Sequence, residues 1–313
     1  MLLLSKILVP YDYSSFAQKA LRYALNLANL YGAELHILHV EVMHEIPEFL
    51  SGGWSDKAEH LRAQVEAENN ALMKSHKSVV IHYGVGQDIA AGPSILKYAD
   101  QYDVDVVVIG THGRRGIRRM VLGSVAEEVV KYAGCPVLTI GRSEDDEAGF
   151  DTLKKILVPV DFSLHAEVAL LYAKEIATHA GAELCLFHVV PAQPYPVYTD
   201  MGGSSIYDFQ PDIEEKALAR LDQLYKRVAG EDGPASFVVA HGHGAKEILQ
   251  QADEMNCDLI VIGTHGLTGV NRFVLGSVTA KAVRSAHAPV FVVRSFGKSL
   301  LPTAVAEDAK AAI

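Results

Sequence analysis

Cysteine is scarce in this chain: Cys135, Cys185 and Cys257 are the three in 313 residues. Each sits in or beside an apolar run without paired spacing, which excludes a disulfide framework and makes buried thiols in a reducing compartment the expectation. Basic residues are outnumbered, 28 Lys and Arg against 38 Asp and Glu, so the formal net charge is -10. That balance excludes broad binding to nucleic acid or to an anionic membrane and leaves only a local basic patch open. No apolar run approaches the roughly 18 residues that a membrane-spanning helix needs. The apolar opening MLLLSKILVP is too short for a signal peptide, so the chain is expected to be cytoplasmic, with no membrane partner.

What the chain does have is a repeat. Gly110 to Ser124 reads GTHGRRGIRRMVLGS, and Gly263 to Ser277 reads GTHGLTGVNRFVLGS. In both, a β-branched run (Asp105 to Ile109, Asp258 to Ile262) ends at a glycine, and the spacing G-x2-G-x9-G-S follows. Such a run reads as a buried parallel strand, and the loop therefore leaves the carboxyl end of the sheet, where α/β folds bind ligands. Gly110 and Gly113 let a backbone approach an anion closely, and Gly123-Ser124 open a helix through Val125, Val129 and Val130 whose amino end favours negative charge. The competing reading is that the glycines only turn the chain and that Ser124 is an N-cap, with Glu127 completing a capping box. Ser277 has Ala280 at that position instead, and the duplication favours an anion-binding loop.

The rest of the chain repeats too. Lys6 to Val9 followed by Pro10, Asp12 and Ser14 recurs as Lys155 to Val158 with Pro159, Asp161 and Ser163. Helices with helical apolar spacing then run to Gly32 and to Gly181, the expected C-caps. Second strands follow at Glu34–Val40 and Glu183–Val189, and third strands near Ser78–Tyr83 and Ser236–His241, after charge-rich helices near Asp56–Lys74 and Asp212–Val228. The connections Glu41–Ser55 and Pro191–Pro211 read as irregular. Fifth strands at Pro136–Ile140 and Pro289–Val293 end each half. The alternation predicts an α/β fold of two tandem Rossmann-like domains, each a five-stranded parallel sheet covered on both faces. If the first and fourth strands are neighbours, as in the order 3-2-1-4-5, Asp12 and Gly110 flank one topological switch point. The expected division is residues 1–142, an acidic linker 143–151, residues 152–295 and a tail 296–313, a short helix or a frayed end.

With these signatures in each half, the chain resembles the universal stress protein family, specifically its tandem two-domain members, from Lys6 to about Arg294. The family's nucleotide-binding branch holds ATP with such a loop, so the resemblance implies ATP in both halves, with Mg²⁺ or Mn²⁺ carried through the phosphates. Residue by residue it implies Asp12 and Asp161 at the adenine end, Pro10 and Pro159 beside the ribose, and Val40 and Val189 lining the base pocket. Ile109, Gly110, His112, Gly113, Gly123, Ser124 and Val125 would surround ribose and phosphates, as would Ile262, Gly263, His265, Gly266, Gly276, Ser277 and Val278. It also implies an intramolecular pseudo-dimer through the fifth strands and leaves a homodimer open.

Several residues carry a plainer alternative. Asp12 and Asp161 also suit a helix-cap role. Arg114, Arg115, Arg118 and Arg119 would be a solvated face or partners for phosphate; the second loop keeps only Arg272, so the first site is expected to hold triphosphate more strongly. His241, His243 and His265 lack a further ligand at metal-site spacing, and no metal site is expected. His39 and His188 read as hydrogen-bonded pocket or core histidines. No nucleophile with an adjacent base stands out, and no Walker lysine follows the glycines. The expected function is an ATP-binding stress-response regulatory protein without catalytic residues; a slow ATPase, a nucleotide-dependent transferase and a ligand-free scaffold are the alternatives.

Overall fold

The structure, a computed structural model, describes residues 2–43, 54–113, 122–141, 149–191, 212–230, 234–264, 275–295 and 297–302. Most of both irregular connections, the acidic run at 143–148 and the tail beyond Pro302 lie outside these residues.

Aliphatic runs become strands and amphipathic runs become helices in strict alternation. The first half contains β1 (Lys6–Pro10), α1 (Ser15–Tyr31), β2 (Glu34–Val42), α2 (Trp54–Glu68), α3 (Asn70–Ser75), β3 (Ile81–Asp88), α4 (Ala91–Gln101), β4 (Val106–Gly110), α5 (Ser124–Tyr132) and β5 (Val137–Ile140). A 3-10 turn at Phe150–Thr152 leads to β6 (Lys155–Pro159), α6 (Leu164–Ala180), β7 (Glu183–Pro191), α7 (Ile213–Ala229), β8 (Ala235–Gly242), α8 (Gly244–Glu254), β9 (Leu259–Gly263), α9 (Ser277–Ser285) and β10 (Val290–Val293). Gly32 and Gly181 end α1 and α6 in the left-handed region, at φ 69° and 67°, a conformation that a Cβ disfavours.

The strands form one sheet in the order β3-β2-β1-β4-β5-β10-β9-β6-β7-β8. Each half has the expected order 3-2-1-4-5, and its pairings are parallel. The two five-stranded sheets are continuous through their fifth strands, the pairing that the resemblance implied. β5 and β10 pair antiparallel, with Leu138 opposite Phe291, and join the halves into one sheet. Third strands are longer than their apolar runs: β3 continues to Asp88 because it stays in register with β2 as far as Val42.

Both faces of the sheet are buried. On one, Ile7, Val9 and Val106 meet α1, and Ile156 and Val158 meet α6. On the other, Leu8 and Val107 meet α4 and α5, and Leu157 and Ile260 meet α8 and α9. The three cysteines are buried, and burial pushes the Cys135 and Cys257 thiols up to about 12. Desolvation is the leading cause at both sulfurs, and it leaves them as inert thiols.

Beneath the glycine loops, at the opposite ends of β4 and β9, two aspartates act as clamps. Asp105 Oδ2 accepts from the Ser5 and Lys6 amides at 2.7 and 2.8 Å, and Asp258 Oδ2 accepts from Lys154 and Lys155, both at 2.8 Å. The start of the tail is neither frayed nor helical where it is described. Lys298 Nζ reaches Asp103 and Asp105 at 2.7 Å each, Leu300 and Leu301 are buried, and the Leu300 amide donates to Tyr172 Oη at 2.7 Å. The tail therefore straps the second half onto the first. Gly149 and Phe150, expected at the exposed linker, are buried as well, Phe150 edge-on to Tyr23.

Replacing Lys298 with Met leaves the largely buried Asp105 without its cation. The expected loss of unfolding free energy is about 1–3 kcal/mol, measured by urea denaturation, whereas Lys281→Met on the exposed side of α9 should change it by less than about 0.5 kcal/mol.

Candidate functional site

β1 pairs directly with β4, and β6 with β9, so the two motifs of each half emerge side by side. After Pro10 the chain turns sharply, and Tyr13 takes φ 64°; Phe162 takes φ 61° in the second half. A bulky residue in this left-handed region is uncommon and strained, and its recurrence marks the turn as required. The turn places Asp12 Oδ1 against the Ser14 amide at 3.1 Å and its hydroxyl at 2.6 Å. Ser14 Oγ in turn accepts from the Ala17 amide and caps α1. Asp161 and Ser163 repeat the arrangement at 3.0 and 2.5 Å. Each aspartate therefore orients a capping serine and is not itself the cap.

The glycines of the loop differ in what they permit. A Cβ on Gly110 would lie 2.7 Å from Phe16 Cβ and 2.9 Å from its carbonyl carbon, and one on Gly263 would lie 2.9 Å from the His165 carbonyl oxygen. These two glycines let α1 and α6 pack closely on the strand ends. Gly113 is different: its Cβ would fall 2.7 Å from Asp12 Oδ2. The loop thus crosses directly over the aspartate of the other motif.

Thr111 and Thr264, the second residues of the two GTHG runs, hold the loops. The Thr111 amide donates to the Ile140 carbonyl at 2.9 Å, and its carbonyl accepts from the Gly123 amide at 2.8 Å. Thr264 does the same with Val293 and Gly276, at 3.0 and 2.8 Å. Each loop is closed at its neck by one hydrogen bond, which sets the amino end of α5 or α9 beside the strand end. Both threonines are buried. Their repetition in GTHG was the available signal, but no side-chain chemistry singled them out.

Gly123 and Gly276 are the N-caps of α5 and α9, and neither end has a side-chain cap. Ser124 is therefore the first helical residue, and the capping box with Glu127 does not form. The physical reason is crowding: a Cβ on Gly123 would lie 3.1 Å from the Thr111 carbonyl oxygen, and the glycine in extended conformation fits there. Glycine at the N-cap supplies no side-chain acceptor to the first amides of α5 and α9, and the helix dipole adds positive potential there.

Val40, Ile109 and Val125 pack on one apolar layer, and Val189, Ile262 and Val278 on its continuation in the second half. Val40 and Val189 do not end their strands, which run on to Val42 and Pro191. His39 Nδ1 lies 2.7 Å from the Tyr11 carbonyl and His188 Nδ1 2.7 Å from that of Val160, the hydrogen-bonded state expected of both. Burial pushes the His188 imidazole down. His112 stacks near Phe16 with ring centroids 5.0 Å apart. His265, Gly266, Arg272 and the arginines at 114, 115, 118 and 119 lie outside the described residues.

The two rims carry different side chains. In the first half Glu41 accepts from Lys57 at 2.7 Å and Gln87 at 2.6 Å, bonds that hold its carboxyl below the ordinary range. In the second, Arg220 lies 4.0 Å above the Phe162 ring, and His241 Nε2 is 3.6 Å from Glu214. A separate cleft of about 380 Å³ between α1 and α3, lined in part by Lys19, Arg22, Glu68 and Asn69, includes none of the loop glycines. No described helix is long and apolar enough to cross a membrane.

Comparison with known proteins agrees with this duplication. The family model described as the universal stress protein family matches residues 4–141 and again residues 152–294. A universal stress protein of Mycolicibacterium smegmatis is 28% identical over 300 residues, covering 92% of this chain and 96% of that one. One from Methanocaldococcus jannaschii is 33% identical over 150 residues, covering 46% of this chain and 86% of its own. In structure, a universal stress protein from Archaeoglobus fulgidus superposes with a TM-score of 0.63 at 22% identity, over 92% of this chain and 98% of that chain, a likeness of fold. With the family model matched once in each half, the chain belongs to the universal stress protein family.

Proposed function

We propose that the protein is an ATP-binding regulatory protein of the stress response, with one nucleotide at the switch point of each half. The observation that carries this is the crossing of Gly113 over Asp12, with the Cβ position 2.7 Å from the carboxylate. It joins the strand-end aspartate, the glycine loop and a glycine-capped helix start in one place. A carboxylate suits ribose or adenine donors, and uncapped helix amides suit phosphate oxygens. Val40, Ile109 and Val125 supply an apolar wall for the base.

The fit to a nucleotide rests on these glycines, since a side chain at Gly113 would press on the Asp12 carboxylate and one at Gly123 on the Thr111 carbonyl that closes the loop. Mg²⁺ or Mn²⁺ would be carried by the phosphates. Asp12 already accepts two hydrogen bonds from Ser14, an arrangement that positions a ligand and makes no nucleophile. Binding without fast turnover follows, and occupancy would act on domain packing or on the choice of partner.

Isothermal titration of the full chain with ATP and Mg²⁺ should give two sites. Gly123→Val should abolish the first and Gly276→Val the second, each lowering affinity at its own site by at least about tenfold, or 1.4 kcal/mol. Asp12→Asn, which preserves shape, should weaken the first site while leaving the melting temperature near that of the parent. Unchanged stoichiometry in both glycine variants would count against the reading.

The surviving sites should also differ. Four arginines in the first loop, against Arg272 in the second, favour triphosphate over monophosphate more strongly at the first site, since each arginine–phosphate contact is worth about 1.5–3 kcal/mol. Titration of Gly276→Val, which isolates the first site, should give tighter ATP binding than titration of Gly123→Val; equal or reversed affinities contradict the assignment.

A further inference from the structure

At the amino ends of β2 and β3, away from the glycine loops, three potential ligands converge. Glu34 and His36 lie two residues apart on β2 and so share a face of the sheet, and His36 is directly opposite His82 of β3. The His36 and His82 rings are 4.7 Å apart between centroids, and His82 Nε2 is 3.2 Å from Glu34 Oε2. One ligating atom from each residue lies within 4.8 Å of the other two. Among the described residues this is the one such group of three.

His36 is the unusual member. It is 5% exposed, and its Nε2 has no hydrogen-bond partner, although buried polar atoms are nearly always satisfied. Its Nδ1 is 3.0 Å from Tyr98 Oη, and Tyr98 is stacked on Tyr102 at 4.2 Å. With the Nδ1 proton donated to Tyr98, Nε2 presents its lone pair, the arrangement in which a second contact orients a metal-ligating histidine.

The second half provides an internal control. Its sheet has the same order, but Cys185 and Ser236 occupy the register positions of His36 and His82. The fold does not need the histidine pair, so its presence in one half alone calls for a separate explanation. We infer that Glu34, His36 and His82 form a binding site for a divalent cation of the zinc class, clipping edge strand β3 to β2.

Two imidazoles and a carboxylate suit zinc better than magnesium or calcium, which prefer oxygen ligands. Three protein ligands leave a fourth tetrahedral position for water. With zinc bonds of about 2.0–2.2 Å, the ligating atoms must draw closer than they now are. Glu34 and His82 are exposed and can rotate inwards, while the buried His36 stays fixed. Sequence spacing alone did not reveal the group because its members come from separate strands, far from the His241–His243 pair that spacing singled out.

The test uses tag-free, chelator-treated full chain without nucleotide. Calorimetry with ZnCl₂ should show one site of micromolar affinity or tighter that MgCl₂ does not fill, and Co²⁺ should give a visible tetrahedral ligand-field spectrum. His82→Ser, which installs the residue of the second half, and Glu34→Gln should each weaken zinc binding at least tenfold and remove the cobalt spectrum. Both changes are at exposed positions, so metal-free melting should be unchanged. Absence of a zinc site in the parent chain, or zinc affinity in His82→Ser within twofold of the parent, overturns the inference; the second result would assign any zinc bound to other histidines.

Discussion

A short strand at a sheet edge leaves its outer N–H and C=O groups unpaired, and both β5 and β10 would be such edges if the halves stood apart. Their antiparallel pairing removes both edges and fixes the geometry of everything else. Because the strands of the second half run opposite to those of the first, the two switch points open at opposite ends of one sheet. The pairing is reinforced across the seam. Arg294 Nη2 donates to the Val130 carbonyl at 2.6 Å, the Thr139 hydroxyl donates to the Val290 carbonyl, and a Cβ on Gly141 would lie 2.9 Å from the Ala286 carbonyl oxygen. The strap through Lys298 and Leu300 completes the join.

On that frame, each half holds its loop by the same backbone device. Thr111 and Thr264 tie the strand end to the start of the following helix, and the matched left-handed residues Tyr13 and Phe162 turn the aspartates towards the loop. The duplication is closest where backbone geometry is demanding. It fails at the rims, where one half has Glu41, Lys57 and Gln87 and the other has Arg220 and His241. It also fails at the β2–β3 amino ends, where His36 and His82 correspond to Cys185 and Ser236. A scaffold repeated with unequal side chains suits two sites that respond differently.

Sheet order and strand positions were legible because each aliphatic run is short, bounded and repeated, and the carboxyl-end motifs implied that β1 and β4 are neighbours. The ends of β2 and β3 were not, since Glu41, Gln87 and Asp88 are polar and their strand pairing comes from register. Ser124 looked like an N-cap by residue type, but the crowding of Gly123 against Thr111 exists only in three dimensions. Likewise, the roles of Asp105, Lys298 and His36 depend on partners far away in sequence. Gly110 could be recognised as special without revealing that Phe16 packs against it.

The central claim is that the loop glycines and strand-end aspartates enclose a nucleotide. Its most direct test is to denature the purified full chain, separate what is released by chromatography, and identify it by ultraviolet absorbance and mass. Adenine nucleotide at a substantial fraction of two equivalents per chain is the result the account predicts. Release of none, together with no heat on titrating the native chain with ATP and Mg²⁺, would contradict it.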